Sequence, residues 1–244
     1  MKKEDVFAQV ERRKQDMIDD ICAMVQIDST RGEPQFGKPF GSGPAAALEK
    51  ALEICKREGL VTKNVDGYMG YGSFGESQNY IGIIGHVDVV EVGDGWIDSP
   101  FSAVIHDGRI WGRGALDDKG PLFAALYGML ALKDLEVIPK TALRIIFGTN
   151  EESGMEDMKY FLQYEPKPLV GFTPDNKFPA IYGERGRAVI EVWGEYKSVI
   201  NFVNEYFMNA NENGDRLGIA VKDEHFGEMK IRNIKLLYLD CLLY

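Results

Sequence analysis

Apolar residues recur every three to four positions in three parts of the chain, which is the spacing of an amphipathic helix. Between Val6 and Ile27 they are separated by charged residues, so this stretch is predicted to be a surface helix. A second helix is predicted around Ala46 to Cys55, with Ser42 as its N-cap and Gly59 as its stop. Lys119 to Leu135 has the same periodicity and predicts a third.

Short β-favouring runs separate these helices and predict strands. The runs are Leu60 to Val65, Tyr80 to Ile84 and the continuously apolar Ala142 to Phe147. Asp107-Gly108 is a hairpin signal between two further short runs, Ser102 to Ile105 and Arg109 to Trp111. Strands that alternate with helices predict an α/β fold, with a mixed central sheet and helices on both faces.

The pattern changes after about Gly186, which predicts a boundary between a domain of residues 1–186 and a smaller one of residues 187–244. The second part is predicted to hold a strand from Ala188 to Trp193, a helix around Ser198 to Met208 and a polar loop. The segment from Ile234 to Tyr244 at its end is apolar, and two explanations are open. Either a partner, such as a second copy of the chain, packs against it, or the reading frame is truncated.

Charge and cysteine content narrow the classes of function. The 244 residues include 38 acidic and 28 basic side chains, and the formal charge of −10 disfavours binding to nucleic acid or to an anionic membrane. Three cysteines without CxxC spacing support neither a disulfide framework nor a thiolate zinc site. With no signal-peptide pattern and no apolar run long enough to span a bilayer, we expect a cytoplasmic protein acting on small molecules.

Histidine and acidic residues follow the strand-like runs in four places. They are His86-Val87-Asp88, Asp117-Asp118, Glu151-Glu152 and Asp175. Because strand ends in open α/β sheets gather side chains into one crevice, these groups are predicted to form one site. Each also has a simpler interpretation: a core histidine, a helix cap, a solvated pair of glutamates and a turn residue.

His86 and Asp88 are two positions apart, so both side chains can lie on the same side of an extended segment. A carboxylate bonded to one imidazole nitrogen makes the other nitrogen a stronger metal ligand. Asp117, with Asp118 as the second choice, is a candidate to bridge two cations, which need an anion between them.

Glu151 and Glu152 can divide two tasks between them. One can bind a cation while the other accepts a proton from water. Asp175 is either a turn residue or a terminal ligand, and spacing leaves both open.

The whole series of motifs resembles a known family. The matching segments are Gly85 to Val90, Gly93 to Trp96, Pro100-Phe101, Gly112 to Gly120, Gly148 to Gly154 and Phe172 to Asp175. Together they resemble the di-zinc metallopeptidases that include aminoacylase, acetylornithine deacetylase, succinyl-diaminopimelate desuccinylase and glutamate carboxypeptidases. Within that family the sequence looks closest to the bacterial PepV-type dipeptidases.

The resemblance implies a zinc exopeptidase-like catalytic domain, a shortened lid or dimerisation domain, and hydrolysis of the amide bond in dipeptides. It implies two Zn²⁺ ions, with His86, Asp117 and Asp175 on one and Asp117 and Glu152 on the other. It also implies that Glu151 is the general base and that Asp88 orients His86.

The family's last metal ligand, a histidine near its carboxyl terminus, has no match, and the remaining His106 and His225 are not in its context. We therefore expect weak binding of the second zinc. Two alternatives remain at this point: a family member that acts by binding or association rather than catalysis, and an amidohydrolase for N-acylated amino acids.

Overall fold

The computed structural model of the protein describes residues 2–176 and five short strands beyond them. The chain divides into two compact units, Met1–Asn176 and Lys177–Tyr244. The predicted boundary near residue 186 stays a prediction. In the part of the chain that is described, no helix combines the length and the apolar character needed to cross a bilayer.

The first unit contains five helices and seven strands. The helices are α1 (Lys3–Arg12), α2 (Lys14–Val25), α3 (Ser42–Arg57), α4 (Lys119–Asp134) and α5 (Glu156–Tyr164). The strands are β1 (Val61–Val65), β2 (Met69–Phe74), β3 (Tyr80–His86), β4 (Val104–His106), β5 (Arg109–Trp111), β6 (Ala142–Gly148) and β7 (Val170–Phe172).

Five of these strands form a mixed sheet in the order β1-β2-β6-β3-β7. β3 lies between β6 and β7 and is parallel to both, whereas β2 is antiparallel to β6 and to β1. The carboxyl ends of β6, β3 and β7 therefore meet at one edge of the sheet. β4 and β5 form a separate hairpin.

Helices cover both faces of this sheet, as consecutive residues of β6 show. Ile145 and Phe147 are buried in a core with side chains of α2, α3 and α4, and the ring of Phe147 lies 6.0 Å from that of Phe123. Ile146 points to the opposite face, where it is buried with Phe161 of α5. Burying one such side chain contributes roughly 1.5–3 kcal/mol. The predicted α/β architecture is confirmed.

The predicted hairpin is also confirmed. His106 pairs with Arg109 across Asp107 and Gly108, which have φ values of 53° and 70°. Positive φ at both central residues is the geometry that favours Asp-Gly in a two-residue turn.

Two details of the helix prediction were wrong. The expected single helix from Val6 to Ile27 is divided at Arg13, which has φ −91° and ψ 3°. The Arg13 guanidinium donates hydrogen bonds to Asp134 and Glu58, contacts between distant parts of the chain that periodicity does not reveal. Ser42 is the first residue of α3 rather than its N-cap, which is Gly41 with φ 97°.

Strand β2 was not predicted, because its glycines weaken the β-favouring pattern. Packing explains the glycine at position 72 of this strand, because a Cβ added there would lie 2.7 Å from Sγ of Cys55 on α3. The close approach of α3 to the sheet thus requires a glycine at this position. The helix α5 was likewise not predicted.

In the second unit, β9 (Val189–Val192), β10 (Gly218–Lys222) and β11 (Asn233–Leu237) form an antiparallel sheet in the order β10-β11-β9. β8 (Arg185–Gly186) pairs with β12 (Cys241–Leu242). The strand predicted from Ala188 to Trp193 corresponds to β9. The helix predicted around Ser198 to Met208, the polar loop after it and His225 lie outside the described residues.

Candidate metal centre

The residues at and just after the ends of three neighbouring strands, β6, β3 and β7, lie at the same edge of the sheet. His86 is the last residue of β3 and pairs with Gly148, the last residue of β6. Glu151 and Glu152 are three and four residues after Gly148. Asp175 is three residues after Phe172, the last residue of β7. The parallel arrangement therefore brings side chains from distant parts of the sequence together.

The imidazole of His86 lies at the centre of this group and is 1% exposed. Its Nε2 atom is 3.1 Å from Oδ1 of Asp117 and 3.4 Å from Oδ2 of Asp175. Oε2 of Glu151 is farther away, at 3.9 Å. One imidazole nitrogen thus faces several carboxylates at the distances expected around a shared cation.

Two sets of three side chains have ligand atoms that all lie within 4.8 Å of one another. One set is His86, Asp118 and Asp175, and the other is His86, Asp117 and Glu152. The structure therefore brings together all four residues predicted as ligands. It also adds Asp118, which the sequence made only the second choice for a bridging role.

Asp88 connects His86 to the loop that carries the two glutamates. Nδ1 of His86 is 3.0 Å from the backbone carbonyl oxygen of Asp88 and 3.4 Å from its Oδ1. A proton on Nδ1 satisfies these acceptors, so Nε2 is the nitrogen that can bind a cation once its own proton is lost. The Asp88 carboxylate also accepts hydrogen bonds from the backbone N–H groups of Glu151 and Glu152, each at 3.2 Å.

Asp118 is completely buried behind His86. Its Oδ2 accepts a hydrogen bond from the backbone N–H of His86 at 3.3 Å, while its Oδ1 has no partner among the described residues. Gly85 makes this approach possible, because a Cβ there would lie 2.1 Å from Oδ2 of Asp118. A buried carboxylate oxygen without a donor is costly unless a proton or a cation satisfies it.

The electrostatics of the group also favour a cation. Burial lowers the pKa of His86, but hydrogen bonds to Asp175 and Asp88 outweigh this effect and raise it to about 12. Burial and the charge of Asp175 raise the pKa of Asp118 to about 8. Burial and the charge of Asp117 raise that of Glu152 to about 7. Crowded carboxylates of this kind are stabilised by a divalent ion, and imidazole with carboxylates is a donor set that zinc accepts.

Two buried charged residues that shape the site had no assigned role in the sequence. Asp157, in the first turn of α5, accepts hydrogen bonds from the backbone N–H groups of Thr149 and Asn150 at 2.7 and 3.0 Å, which fixes the loop before Glu151. Nζ of Lys119 donates to the carbonyl oxygens of Met24 and Ile27 at 3.0 and 2.9 Å. An acidic residue in the first turn of a helix is favourable, and this pattern could have drawn attention to Asp157. The partners of Lys119 are more than 90 positions away in the sequence, so only the fold identifies them.

Solved structures share this architecture. The protein resembles the di-peptidase Dug1p from Saccharomyces cerevisiae with a TM-score of 0.68 and 17% identity, over 96% of this chain and 71% of that one. It also resembles the Bacillus subtilis YXEP protein, described as a dinuclear metal-binding peptidase, with a TM-score of 0.53 and 13% identity, over 91% of this chain and 64% of that one. At these identities the likeness shows the fold alone.

A curated relative is much more similar in sequence. The chain is 41% identical over 184 residues to the Beta-Ala-Xaa dipeptidase of Lactobacillus delbrueckii subsp. lactis, which covers 74% of this chain. The match spans 39% of the length of that relative. The family model for peptidase family M20/M25/M40 matches residues 82–226, a range that includes His86, Asp117, Glu151, Glu152 and Asp175. The chain therefore belongs to peptidase family M20/M25/M40.

Proposed function

We propose that this chain carries catalytic residues of a zinc-dependent dipeptidase, which hydrolyses the amide bond of small peptides. The observation that supports this most directly is the position of His86, whose Nε2 faces the carboxylates of Asp117 and Asp175 at the edge where three parallel strands end. Membership of a peptidase family and the similarity to a Beta-Ala-Xaa dipeptidase support the same substrate class.

In this proposal His86, Asp117 and Asp175 bind one zinc ion, and Asp117 and Glu152 bind a second. Asp117 is preferred to Asp118 as the shared ligand because one oxygen of Asp118 already accepts the backbone N–H of His86. When bound, zinc supplies a Lewis acid that polarises a carbonyl group and lowers the pKa of water.

The two ions are expected to bind with different strength. A catalytic zinc site usually has three protein ligands. With His86 engaged by the first ion, Asp117 and Glu152 are the two ligands that the described residues leave for the second. We therefore expect the isolated chain to hold the second ion weakly and to hydrolyse dipeptides slowly.

Glu151 is the proposed general base. Its Oε2 atom is 3.9 Å from Nε2 of His86, and its side chain is 39% exposed, so it lies beside the ligands and can reach a water molecule. Burial raises the pKa of Glu151, which makes the carboxylate a better proton acceptor. It accepts the proton of the attacking water and then donates it to the leaving amine.

The experiment is to load the metal-free chain with zinc and measure release of amino acids from β-alanyl and α-linked dipeptides, with N-acetyl amino acids in parallel. We expect slow dipeptide hydrolysis that Glu151→Gln reduces by roughly 100-fold or more while zinc remains bound. Glu76→Gln, at an exposed position between β2 and β3, is the matched control and should hydrolyse as the parent does.

Other outcomes would change the assignment. Hydrolysis of N-acetyl amino acids alone would replace the dipeptidase with an amidohydrolase. Zinc binding without turnover on any substrate would favour a family member that acts by binding. The proposal also places the reaction in the cytoplasm, with a small peptide as substrate and a second copy of the chain as a partner through the C-terminal segment.

A further inference from the structure

Lys119 is completely buried, although its side chain ends in an ammonium group. It begins α4 and directly follows Asp117 and Asp118. Its Nζ atom donates hydrogen bonds to the backbone carbonyl oxygens of Met24 and Ile27, at 3.0 and 2.9 Å. These carbonyl groups lie at the carboxyl end of α2, where unpaired oxygens and the helix dipole favour a cation. Lys119 therefore fastens the start of α4 to the end of α2.

The turn that carries Asp117 packs closely around the stem of this lysine. The backbone N–H of Lys119 donates a hydrogen bond to the carbonyl oxygen of Gly114 at 3.0 Å. A Cβ added at Gly114 would lie 3.0 Å from Cδ of Lys119, and one added at Gly120 would lie 2.1 Å from the carbonyl oxygen of Ala115. Because the turn from residue 114 to 120 has so little free space, the place of Asp117 follows from the place of Lys119.

The stretch that follows α2 is bonded to the segment after β3 as well. Ser29 is completely buried, and its Oγ donates a hydrogen bond to the carbonyl oxygen of Val87 at 2.6 Å. Its own carbonyl oxygen accepts the backbone N–H of Val89 at 3.2 Å. Val87 and Val89 are the two neighbours of Asp88. The stretch that Lys119 holds on one side is thus bonded on its other side to the segment that directly follows His86.

We propose that Lys119 is a positioning residue that holds the carboxylate of Asp117 beside the imidazole of His86. This proposal rests on the proposed function, in which both side chains bind zinc. Oδ1 of Asp117 lies 3.1 Å from Nε2 of His86, although 31 positions separate them in the sequence. Their two segments share one support, the stretch after α2. Loss of the ammonium group removes one of the two links to that support, so the turn with Asp117 can shift away from His86.

The charge of Lys119 and its positioning role predict opposite effects on zinc binding. Like charges repel, so on electrostatic grounds alone the loss of an ammonium group next to the acidic residues would strengthen the binding of a zinc ion. Loss of a group that orients metal ligands instead weakens metal binding, typically by about 10–100-fold. The direction in which zinc affinity changes therefore separates the two roles.

The test replaces Lys119 with methionine, which keeps an unbranched side chain but removes its N–H donors. Competition with a chromogenic chelator, well below the Tm of each variant, measures the zinc affinity of the folded chain. We expect Lys119→Met to weaken zinc binding by about 10–100-fold. Lys133→Met, in the last turn of the same helix, should bind zinc as the parent does. Gly72→Ala, which crowds Cys55 on α3, should lower the Tm without changing zinc affinity, as a purely structural change would.

Ser29→Ala tests the same support from its other side. The change removes the hydrogen bond from Oγ to the carbonyl oxygen of Val87 and should also weaken zinc binding. In the double variant with Lys119→Met, the loss of binding free energy should be smaller than the sum of the two single losses, because the second change acts on a support that is already loosened. If Lys119→Met does not fold, Ser29→Ala alone provides the test.

Unchanged or tighter zinc binding in Lys119→Met would overturn the proposal, and so would an equal loss of affinity in Gly72→Ala. Unchanged affinity in Ser29→Ala, or fully additive losses in the double variant, would also overturn it. These results are distinct from failure of the proposed function, because zinc affinity is measured without a substrate. Zinc binding that depends on Lys119 without dipeptide hydrolysis removes only the dipeptidase, whereas hydrolysis with parent-like zinc affinity in Lys119→Met removes only the role of Lys119.

Discussion

The Oδ1 atom of Asp88 accepts a hydrogen bond from the backbone N–H of Glu151 at 3.2 Å. The other carboxylate oxygen accepts the next N–H, that of Glu152, at the same distance. Because Asp88 also contacts Nδ1 of His86, it joins the end of β3 to the loop after β6. One buried residue, through its backbone carbonyl and its carboxylate, therefore positions an imidazole and two glutamates together.

Replacing Asp88 with alanine should weaken zinc binding although Asp88 is not a proposed ligand. The change removes the acceptor for two N–H groups and the 3.4 Å contact between Oδ1 and Nδ1 of His86, while the backbone carbonyl contact of His86 remains. Loss of such a supporting group typically costs about 10–100-fold in metal affinity. Competition with a chromogenic chelator measures the affinity. Asp94→Ala, at an exposed position, is the matched control. Equal affinity in both variants would contradict the proposed role.

Gly85→Ala should destabilise the protein and weaken zinc binding. The added Cβ would lie 2.1 Å from Oδ2 of Asp118 and 2.9 Å from Cδ1 of Leu122, so β3 and α4 must move apart. Overpacking of this kind costs about 1–3 kcal/mol. In α4, a Cβ at Gly128 meets nothing within 4 Å, and Gly128→Ala should maintain or increase the free energy of unfolding. Urea unfolding of both variants is the measurement, and equal stabilities would refute the packing argument.

Zinc should stabilise the folded chain, and His86 should be required for this effect. A ligand that binds only the folded state adds about 2.7 kcal/mol at 100 times its Kd. We expect a rise in Tm with zinc that disappears in His86→Ala and on addition of a chelator. His106→Ala, on the exposed β4–β5 hairpin, should retain the rise. A rise that persists in His86→Ala would place the metal elsewhere.

Cys55 should resist alkylation in the native protein. Burial raises the pKa of its thiol from 9.0 to about 12, and the thiolate is the reactive form. Because the unfolded thiol ionises above pH 9 and the native one does not, this group also makes stability fall as pH rises between about 9 and 12. Mass spectrometry of peptides after iodoacetamide treatment at pH 8.5 measures the protection. Alkylation of Cys55 at the rate of the denatured chain would contradict it.

Sequence periodicity predicted the parts of the fold that depend on local pattern. α4, β6 and the Asp107-Gly108 hairpin carry clear signals and were found close to their predicted bounds. The break at Arg13 and the strand β2 depend on contacts between distant residues, such as Arg13 with Asp134 or Gly72 with Cys55. No local pattern contains that information.

The residues of the candidate site likewise include some that local sequence pattern predicts and some that depend on contacts between distant residues. His86 and Asp175 could be placed together because both follow strands, and parallel strands share one edge of a sheet. The role of Asp157 and the contact of Arg31 with Ser153 could not be predicted, because each depends on the path of a loop. Arg31 meets the carbonyl of Ser153 across 122 positions of sequence, a contact that only the folded chain defines.

The proposed metal centre is tested most directly by anomalous X-ray diffraction, measured at the zinc absorption edge from crystals of the zinc-loaded chain. We predict a strong peak about 2.0–2.2 Å from Nε2 of His86 and from carboxylate oxygens of Asp117 and Asp175, and a weaker peak near Glu152. Anomalous peaks located away from these side chains, or none at a zinc concentration that stabilises the protein, would contradict a metal centre at this edge of the sheet.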